Sequence, residues 1–549
     1  MRRSQRRWMA WGTLALAGCV GVIGDGDGEG TGPLVPSVAP AEPMMVRLTA
    51  PQLHNTYVAL FGEPLELPTL PQDDQLYGFT SLSAATKTVA PVEAEQYEAA
   101  AYAALDQVWG DPARLDELVG CDTIAITDDC VQAFVGDFAA RAWRRPATSE
   151  EIDDVVAVGL EAAVKMDAPS QGTKYALAVV LQSPHFLFRV AIGEPSTSGD
   201  WLRFTSWEMA SRLSYLITDG PPDEALRDAA RADELVDESA VRAQAERLVN
   251  SPAARPALVA FFADFMNIGR LDELDKDPEQ FEQLTPSLGR SMRLEIERMF
   301  EGVVFEKEGD FRQLFTTRDT YVNADLAAVY GLEGIEGTDF SPVTLPDDGR
   351  RAGLLTTAGF LAMNAHKTAT SPTHRGRFVR ISLLCQDVPP PPPGVDTTIP
   401  APGEEAQTMR DRLAAHVEDP ACKTCHEMMD PIGFGLEHYD AIGAWRDEDA
   451  GLPVDAATEL DGRPFDGGVE LGALMAELDS VGACIARRFY QHATTHLDGA
   501  DEELFVEDLV TSFVNSNYDF KALVVEAVVN GGFRYAVRPA DEPADEEKP

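Results

Sequence analysis

The chain is organised around the segment Asp419-Pro-Ala-Cys422-Lys-Thr-Cys425-His426-Glu-Met-Met429-Asp430-Pro431, which contains the pattern Cys-x-x-Cys-His. This pattern is the attachment sequence of a c-type haem, because two thiols one helical turn apart can each bond the same porphyrin and the next imidazole can bind the iron. The Asp-Pro pair before it suits the cap and the first position of a helix. The sequence therefore predicts one covalent haem c on Cys422 and Cys425, with His426 as an iron ligand, at the start of a helix.

A Cys-x-x-Cys pair also occurs in redox dithiols, in halves of zinc sites and in structural disulfides. A second Cys-x-x-Cys or a close pair of histidines at zinc-finger spacing does not follow, which weighs against zinc. The strand–helix–strand pattern of a thioredoxin-type site is not found nearby either. Haem stays the preferred interpretation, and zinc, another metal or a disulfide stay open as alternatives.

The beginning of the chain indicates export. Residues 1–7 are strongly basic, residues 8–17 are apolar, and Leu16-Ala-Gly-Cys19 is a lipobox that resembles those of bacterial lipoproteins. The apolar run is far shorter than the ~20 residues needed to span a bilayer, so it predicts a signal peptide. We expect residues 1–19 to be a lipoprotein signal peptide, Cys19 to be lipidated, and residues 20–45 to be a flexible tether.

Val20 follows the lipidation site, where Asp would favour retention in the inner membrane. The prediction is therefore an exported protein in the bacterial outer membrane or periplasm, which contacts the membrane through its lipid alone. A plain signal peptide that happens to contain a cysteine is the alternative.

The charge of the chain limits its partners. Its 549 residues include 45 basic and 91 acidic side chains, a net charge of −46. Nucleic acid and anionic membrane surfaces are therefore excluded as partners. A cationic redox partner protein, such as a basic cytochrome, is compatible with this charge, but its identity and the oligomeric state are unknown.

The cysteines divide into three groups. Of the 7 cysteines, Cys19 is assigned to lipid and two to haem, which leaves an even number in an exported protein. An even number of remaining cysteines in a protein of an oxidising compartment indicates disulfides. Cys121 and Cys130 close a short loop and pair most naturally, so Cys385 is expected to pair with Cys484.

The body of the chain has mainly helical periodicity, which predicts a mainly α fold of several modules with a C-terminal cytochrome c-like region. The segments with helical spacing are 93–108, 131–143, 149–166, 172–190, 208–217, 239–250, 256–265, 286–306, 321–330, 484–497, 501–516 and 519–530. The expected modules are 46–120, 121–200, 201–335, 350–450 with the Cys-x-x-Cys-His pattern, and 451–537, followed by a disordered acidic tail at 538–549.

The sequence offers several candidates for the sixth iron ligand. Met428 and Met429 lie within one helical turn of His426, on the same side of the ring, and are excluded as distal ligands. The remaining candidates are His366, His374, Met363, His438, His492 and His496. His366 is preferred, because it shares the module of the haem pattern and flanks Thr370-Ser-Pro372; an open, five-coordinate iron is the alternative.

Several further motifs occur in a fixed order along the chain. They are Leu48-Thr-x(4)-His54-Asn-Thr, Leu76-Tyr-Gly-Phe79, Arg141-Ala-Trp-Arg-Arg-Pro146, Leu181-Gln-Ser-Pro-His-Phe-Leu-Phe-Arg189, Glu208-Met-Ala-Ser-Arg-Leu-Ser-Tyr215, Arg351-Ala-Gly-Leu-Leu355, Thr370-Ser-Pro372, Met429-Asp-Pro-Ile-Gly-Phe434, Asp440-Ala-Ile-Gly443 and Gly531-Gly-Phe-Arg534. Together they resemble the planctomycete-type cytochrome c-associated proteins, a family of consecutive domains of unknown function (1587, 1595, 1592, 1588 and 1585). The resemblance covers residues 46–537.

This resemblance implies an exported, haem-linked protein and leaves the reaction open, because the activity of the family is not established. The functional expectation is electron transfer, or the haem module of an extracytoplasmic redox system. The alternative is a non-enzymatic binding or scaffold lipoprotein in which the Cys-x-x-Cys-His pattern is structural or binds another metal.

Overall fold

The computed structural model describes residues 38–196, 201–307, 309–389, 407–416 and 420–539, which are built mainly from α-helices, as the periodicity predicts. In chain order these helices are α1 (Ala50–Phe61), α2 (Thr80–Thr86), α3 (Pro91–Trp109), α4 (Pro112–Val119), α5 (Asp129–Trp143), α6 (Ser149–Met166), α7 (Pro169–Gln182), α8 (Pro184–Leu187), α9 (Ser206–Thr218), α10 (Glu224–Arg231), α11 (Glu238–Val249) and α12 (Ala254–Met266). They continue with α13 (Leu288–Glu301), α14 (Ala324–Tyr330), α15 (Ala358–Met363), α16 (Pro372–Phe378), α17 (Met409–His416), α18 (Pro420–Phe434), α19 (Gly467–Glu477), α20 (Asp479–Thr494), α21 (Glu503–Asn515), α22 (Phe520–Val529) and α23 (Gly531–Arg534).

The described strands are short and pair antiparallel in small sheets. They are β1 (Met44–Arg47), β2 (Phe188–Ala191), β3 (Glu194–Pro195), β4 (Trp201–Arg203), β5 (Asp319–Val322), β6 (Ser341–Thr344), β7 (Glu448–Asp449), β8 (Leu452–Pro453), β9 (Ala457–Leu460), β10 (Arg463–Asp466) and β11 (Tyr535–Val537). The pairs β1–β2 and β4–β11 join segments far apart in the chain, so β11 brings the end of the folded body back to its middle.

The helices divide between two hydrophobic cores. The first is formed by side chains of α1 and α3–α8, and Tyr215 of α9 reaches into it. The second unites side chains of α2, α9–α15 and α18–α23. The hydroxyl groups of Thr56 and Tyr215 lie 2.7 Å apart and join α1 to α9 at the boundary of the two cores.

Two predicted helices differ from the structure. The helix expected over 172–190 ends at Gln182, because Ser183 precedes a proline and adopts an extended backbone with ψ 143°, after which 188–191 form β2. The segment 321–330 begins as β5, and its helix starts after Asn323, whose side chain accepts a hydrogen bond from the N–H of Leu326. In both cases a capping or proline residue overrides helical spacing.

The end of the predicted tether, 20–45, belongs to the folded body. The N–H of Ala39 donates to the carbonyl of Asp501 (3.1 Å), the carbonyl of Ala41 accepts from Val537 (2.9 Å), and Met44 and Met45 are in β1. The folded body therefore includes residues before 46. The signal peptide with Cys19, the first part of the tether and most of the acidic tail lie outside the described residues.

Both expected disulfides are present. Cys121 bonds Cys130, 9 positions away, and Cys385 bonds Cys484, 99 positions away. The second bond joins the segment after α16 to α20, on either side of the haem pattern in the sequence. Closure of this long loop restricts the unfolded chain and contributes up to about 4–5 kcal/mol in the chain-entropy model.

No helix in the described ranges combines the length and the apolar character that crossing a bilayer requires.

Candidate functional site

The Cys-x-x-Cys-His pattern lies in the first half of α18, which begins at Pro420 as expected; Asp419 lies outside the described residues. Cys422 is buried, and Cys425 is half-buried. Because an α-helix turns every 3.6 residues, the two cysteines lie on neighbouring positions of one face. Neither is in a disulfide, whereas the other cysteines of the described chain are all paired.

His426 is oriented by a carboxylate one turn further along α18. Its Nδ1 lies 2.8 Å from Oδ2 of Asp430, and this hydrogen bond raises the pKa of His426 against the opposing effect of burial. Asp430 is 3% exposed, and its other oxygen accepts a hydrogen bond from the hydroxyl of Thr373 on α16 (2.7 Å). In metal sites, a carboxylate that accepts a hydrogen bond from Nδ1–H of a histidine keeps the proton on Nδ1, which leaves Nε2 to bind the metal.

Helices α16 and α18 cross at two glycines. A Cβ atom on Gly376 would collide with the carbonyl of Met429, and a Cβ on Gly433 would collide with the carbonyl of Pro372. Pro372 therefore lies opposite the end of α18, while Gly376 lies nearer its middle, so the two helices run in opposite directions. The absence of side chains at both glycines allows the close backbone approach that brings Thr373 to Asp430.

A buried ion cluster holds the loop that follows α18. Arg375 of α16 is 0% exposed; it donates to the carbonyls of Leu436 (2.7 Å) and Tyr439 (3.1 Å) and pairs with Glu437 at 3.3 Å. Arg446 also pairs with Glu437, at 2.8 Å. Burial raises the pKa of Glu437 and lowers the pKa of Arg375 to about 10. The attraction between the two opposite charges and their hydrogen bonds offsets part of this cost of burial.

Further motif residues support the same frame. Thr370 donates to Glu437 (2.9 Å), and Arg351 donates to the carbonyls of Thr356 (2.7 Å) and Gly443. Gly443 has a φ of +86°, and a Cβ there would collide with Ala358. The motifs around 351, 370 and 440 are thus explained by the packing that positions α18.

Of the two methionines after His426, Met429 is buried by packing. Met429 is 6% exposed and lies at the crossing with α16, and the carbonyl of Met428 accepts a hydrogen bond from Nε of Arg380 (2.9 Å). This agrees with the expectation that Met429 is a packing residue.

His366 packs against His374 of α16. The ring centroids of the two histidines are 5.0 Å apart, and the carbonyl of His366 accepts a hydrogen bond from Nζ of Lys276 (2.7 Å). The role of His366 as sixth ligand stays a prediction.

Within the described ranges, no group of three or more His, Cys, Asp or Glu side chains is close enough to hold a metal ion. The residues do suit a haem, because a porphyrin needs only two unpaired thiols and one oriented imidazole from this segment. Sequence reasoning missed Asp430 and Thr373. Asp430 was detectable as the residue at i+4 from His426, but Thr373 is 57 positions earlier and carried no signal.

Comparison with protein families gives five consecutive matches, each described as a protein of unknown function. They are DUF1587 over residues 47–110, DUF1595 over 130–190, DUF1592 over 204–332, DUF1588 over 351–449 and DUF1585 over 461–533. The DUF1588 match, named PSCyt3, contains α18. No curated protein and no solved structure matches the chain. The order and extent of the five matches show that the chain belongs to the planctomycete cytochrome c-associated family.

Proposed function

We propose that this chain is an exported, lipid-anchored protein that carries one covalent haem c and passes electrons to or from a partner protein outside the cytoplasm. The observation that carries the proposal is the state of the thiols. Cys422 and Cys425 stay unpaired on α18, in a chain whose other described cysteines form disulfides. The name PSCyt3 of the family model over this segment supports the same conclusion.

Each residue of the segment has a defined part. Cys422 and Cys425 would hold the porphyrin through thioether bonds, and His426 would bind the iron through Nε2. When bound, the haem supplies a one-electron iron couple. Asp430 accepts a hydrogen bond from Nδ1–H of His426, and the hydroxyl of Thr373 donates one to Asp430, so the imidazole keeps one tautomer and one orientation.

Absorbance of the purified full chain tests the proposal. We expect a sharp reduced α-band that survives acid–acetone extraction, because thioether-bound haem stays with the protein. Cys422→Ser should leave one thioether and a red-shifted band, or no haem, and His426→Ala should lose the low-spin spectrum. Met429→Leu is the matched control, since it keeps the volume of a packing residue and should keep the spectrum.

The same experiment separates the alternatives. A colourless protein that contains zinc or no metal would support a scaffold lipoprotein and refute the haem proposal. His366→Ala examines the sixth ligand: conversion to high spin would assign it to His366. An unchanged spectrum would mean that His366 is not the sixth ligand.

A further inference from the structure

The second feature with functional potential is a cavity of about 630 Å³ on the other side of α16. Its walls come from the turn at Tyr77, from the end of α12 and the segment after it, from α16 with the π-helical turn Val379–Leu383, and from α20. His374, Arg377 and Ile381 face the cavity, whereas Thr373 and Gly376 face α18. The cavity is therefore separate from the Cys-x-x-Cys-His segment and has the size of a small-molecule site.

Three arginines converge on this cavity: Arg270, Arg377 and Arg488. None of them forms an ion pair with a described residue; Arg270 reaches the carbonyl of Met363 at 3.5 Å, and Arg488 donates to Oε1 of Gln491 at 3.1 Å. The adjacent Arg487, by contrast, pairs with both Asp498 (2.5 Å) and Glu503 (2.6 Å). Three guanidinium groups without a carboxylate partner are unexpected in a chain with a net charge of −46.

The acidic side chain in the wall does not neutralise them. Asp264 accepts hydrogen bonds from the N–H of Thr80 (2.8 Å) and from Nε2 of Gln75 (2.7 Å), so its oxygens are held by the turn that carries Tyr77. The cavity thus keeps an excess of positive charge. Burial also lowers the pKa of Arg488, and the charge of Asp498 offsets that shift only in part.

The rest of the wall is apolar and aromatic. Met363, Phe265 and Phe378 lie beside the arginines. Tyr77 is 65% exposed on a turn in which Tyr77 and Gly78 both have positive φ, 51° and 87°, and the aromatic ring borders the opening. Such a wall can contact an organic body, whereas the guanidinium groups match carboxylate, phosphate or sulfate groups through paired N–H donors.

We propose that this cavity binds a small organic polyanion, in which two or more acidic groups contact Arg270, Arg377 and Arg488 and an apolar or ring-shaped body contacts Tyr77, Phe265 and Phe378. This inference is independent of the haem. It predicts a ligand that enters from solvent, because Arg270 and Arg377 are exposed at the opening.

Calorimetric titration of the full chain with benzene-1,3,5-tricarboxylate tests the proposal. We expect at least about tenfold tighter binding than for the neutral benzene-1,3,5-tricarboxamide, which has the same shape, and affinity that falls as salt is added. Inorganic phosphate should bind at least about tenfold more weakly, since it lacks a body for the apolar wall. Titrations with benzene-1,3,5-trisulfonate and with phenyl phosphate then show whether the cavity prefers carboxylate, sulfonate or phosphate groups.

The double substitution Arg270→Gln with Arg377→Gln removes two cations and leaves the half-buried Arg488 in place, so the fold should be kept. It should weaken binding of the tricarboxylate about tenfold or more. Arg231→Gln is the matched control, because Arg231 is 62% exposed on α10 and does not line the cavity. A wild-type chain that binds none of the organic anions, or binds the amide equally well, would overturn the proposal, as would an unchanged affinity in the double variant. Thermal unfolding of each variant verifies that it is folded.

Discussion

At the scale of single residues, the site depends on the contacts of one imidazole. His426 is joined to Asp430 within α18, and Asp430 is joined to Thr373 on α16. The first contact follows from helical spacing, because positions i and i+4 are neighbours on a helix. The second requires the crossing of two helices, and it holds the buried carboxylate in place beside His426.

Asp430→Asn should raise the reduction potential of the haem. The amide oxygen still accepts the hydrogen bond from Nδ1, but the negative charge that makes His426 a stronger donor to ferric iron is removed. Outer-shell changes of this kind cost about tenfold in metal affinity, and a tenfold change in the ferric-to-ferrous affinity ratio corresponds to ~59 mV. Spectroelectrochemical titration measures the shift.

Thr373→Val is the control for this contact. It removes a hydrogen bond to Asp430 and keeps the negative charge, so the potential should shift by much less than in Asp430→Asn. An unaltered potential in Asp430→Asn would mean that the carboxylate does not tune the iron.

At the scale of elements, the position of α18 is set by its close approach to α16. Gly376 and Gly433 leave no room for a Cβ atom, since it would meet backbone carbonyls that cannot rotate away. Arg375 and Glu437 then hold the loop after α18 in place. This explains why small residues and buried charges stand among the motifs that surround the cysteines.

Gly433→Ala should destabilise the fold by about 1–3 kcal/mol, because the added methyl group pushes α18 away from the carbonyl of Pro372. Chemical denaturation measures the free energy of unfolding. Gly499→Ala is the matched control, since a Cβ at Gly499 meets no atom within 4 Å and its φ of −96° suits any residue. Equal stability of the two variants would contradict the close crossing.

At the scale of the whole molecule, the strand pairs and the disulfide join distant parts of the chain. β1 pairs with β2, β4 pairs with β11, and Cys385 bonds Cys484, so segments from several family matches share the second core. The cavity lined by Arg270, Arg377 and Arg488 forms only when these distant segments pack together, because its walls come from residues near 77, 265, 375 and 488.

Replacement of Cys19 by Ser tests the membrane attachment of the whole molecule. Cys19 is the predicted lipidation residue, so Cys19→Ser should release the protein from the membrane fraction. Val20→Asp is the control: it keeps the lipid and should move the protein from the outer to the inner membrane fraction. If Cys19→Ser stayed with the membranes, the lipoprotein prediction would be wrong; fractionation followed by immunoblotting measures both.

Several properties were accessible from the sequence alone. The mainly α fold follows from helical periodicity, and the two disulfides follow from the even number of cysteines that remain after the lipobox and the haem pattern are assigned, together with one short loop. The placement of Cys422, Cys425 and His426 at the start of a helix follows from spacing and the proline before them. All of these depend on interactions between near neighbours or on counting, which a linear sequence records.

Only the tertiary structure decided which distant residues meet. The contact between Thr373 and Asp430 joins positions 57 apart, and the contact between Arg375 and Glu437 joins positions 62 apart. The three arginines of the cavity come from positions up to more than 200 apart. The strand at 188–191 depends likewise on pairing with β1. The local sequence pattern cannot specify such contacts, because they form only when the helices pack and their apolar surfaces come together.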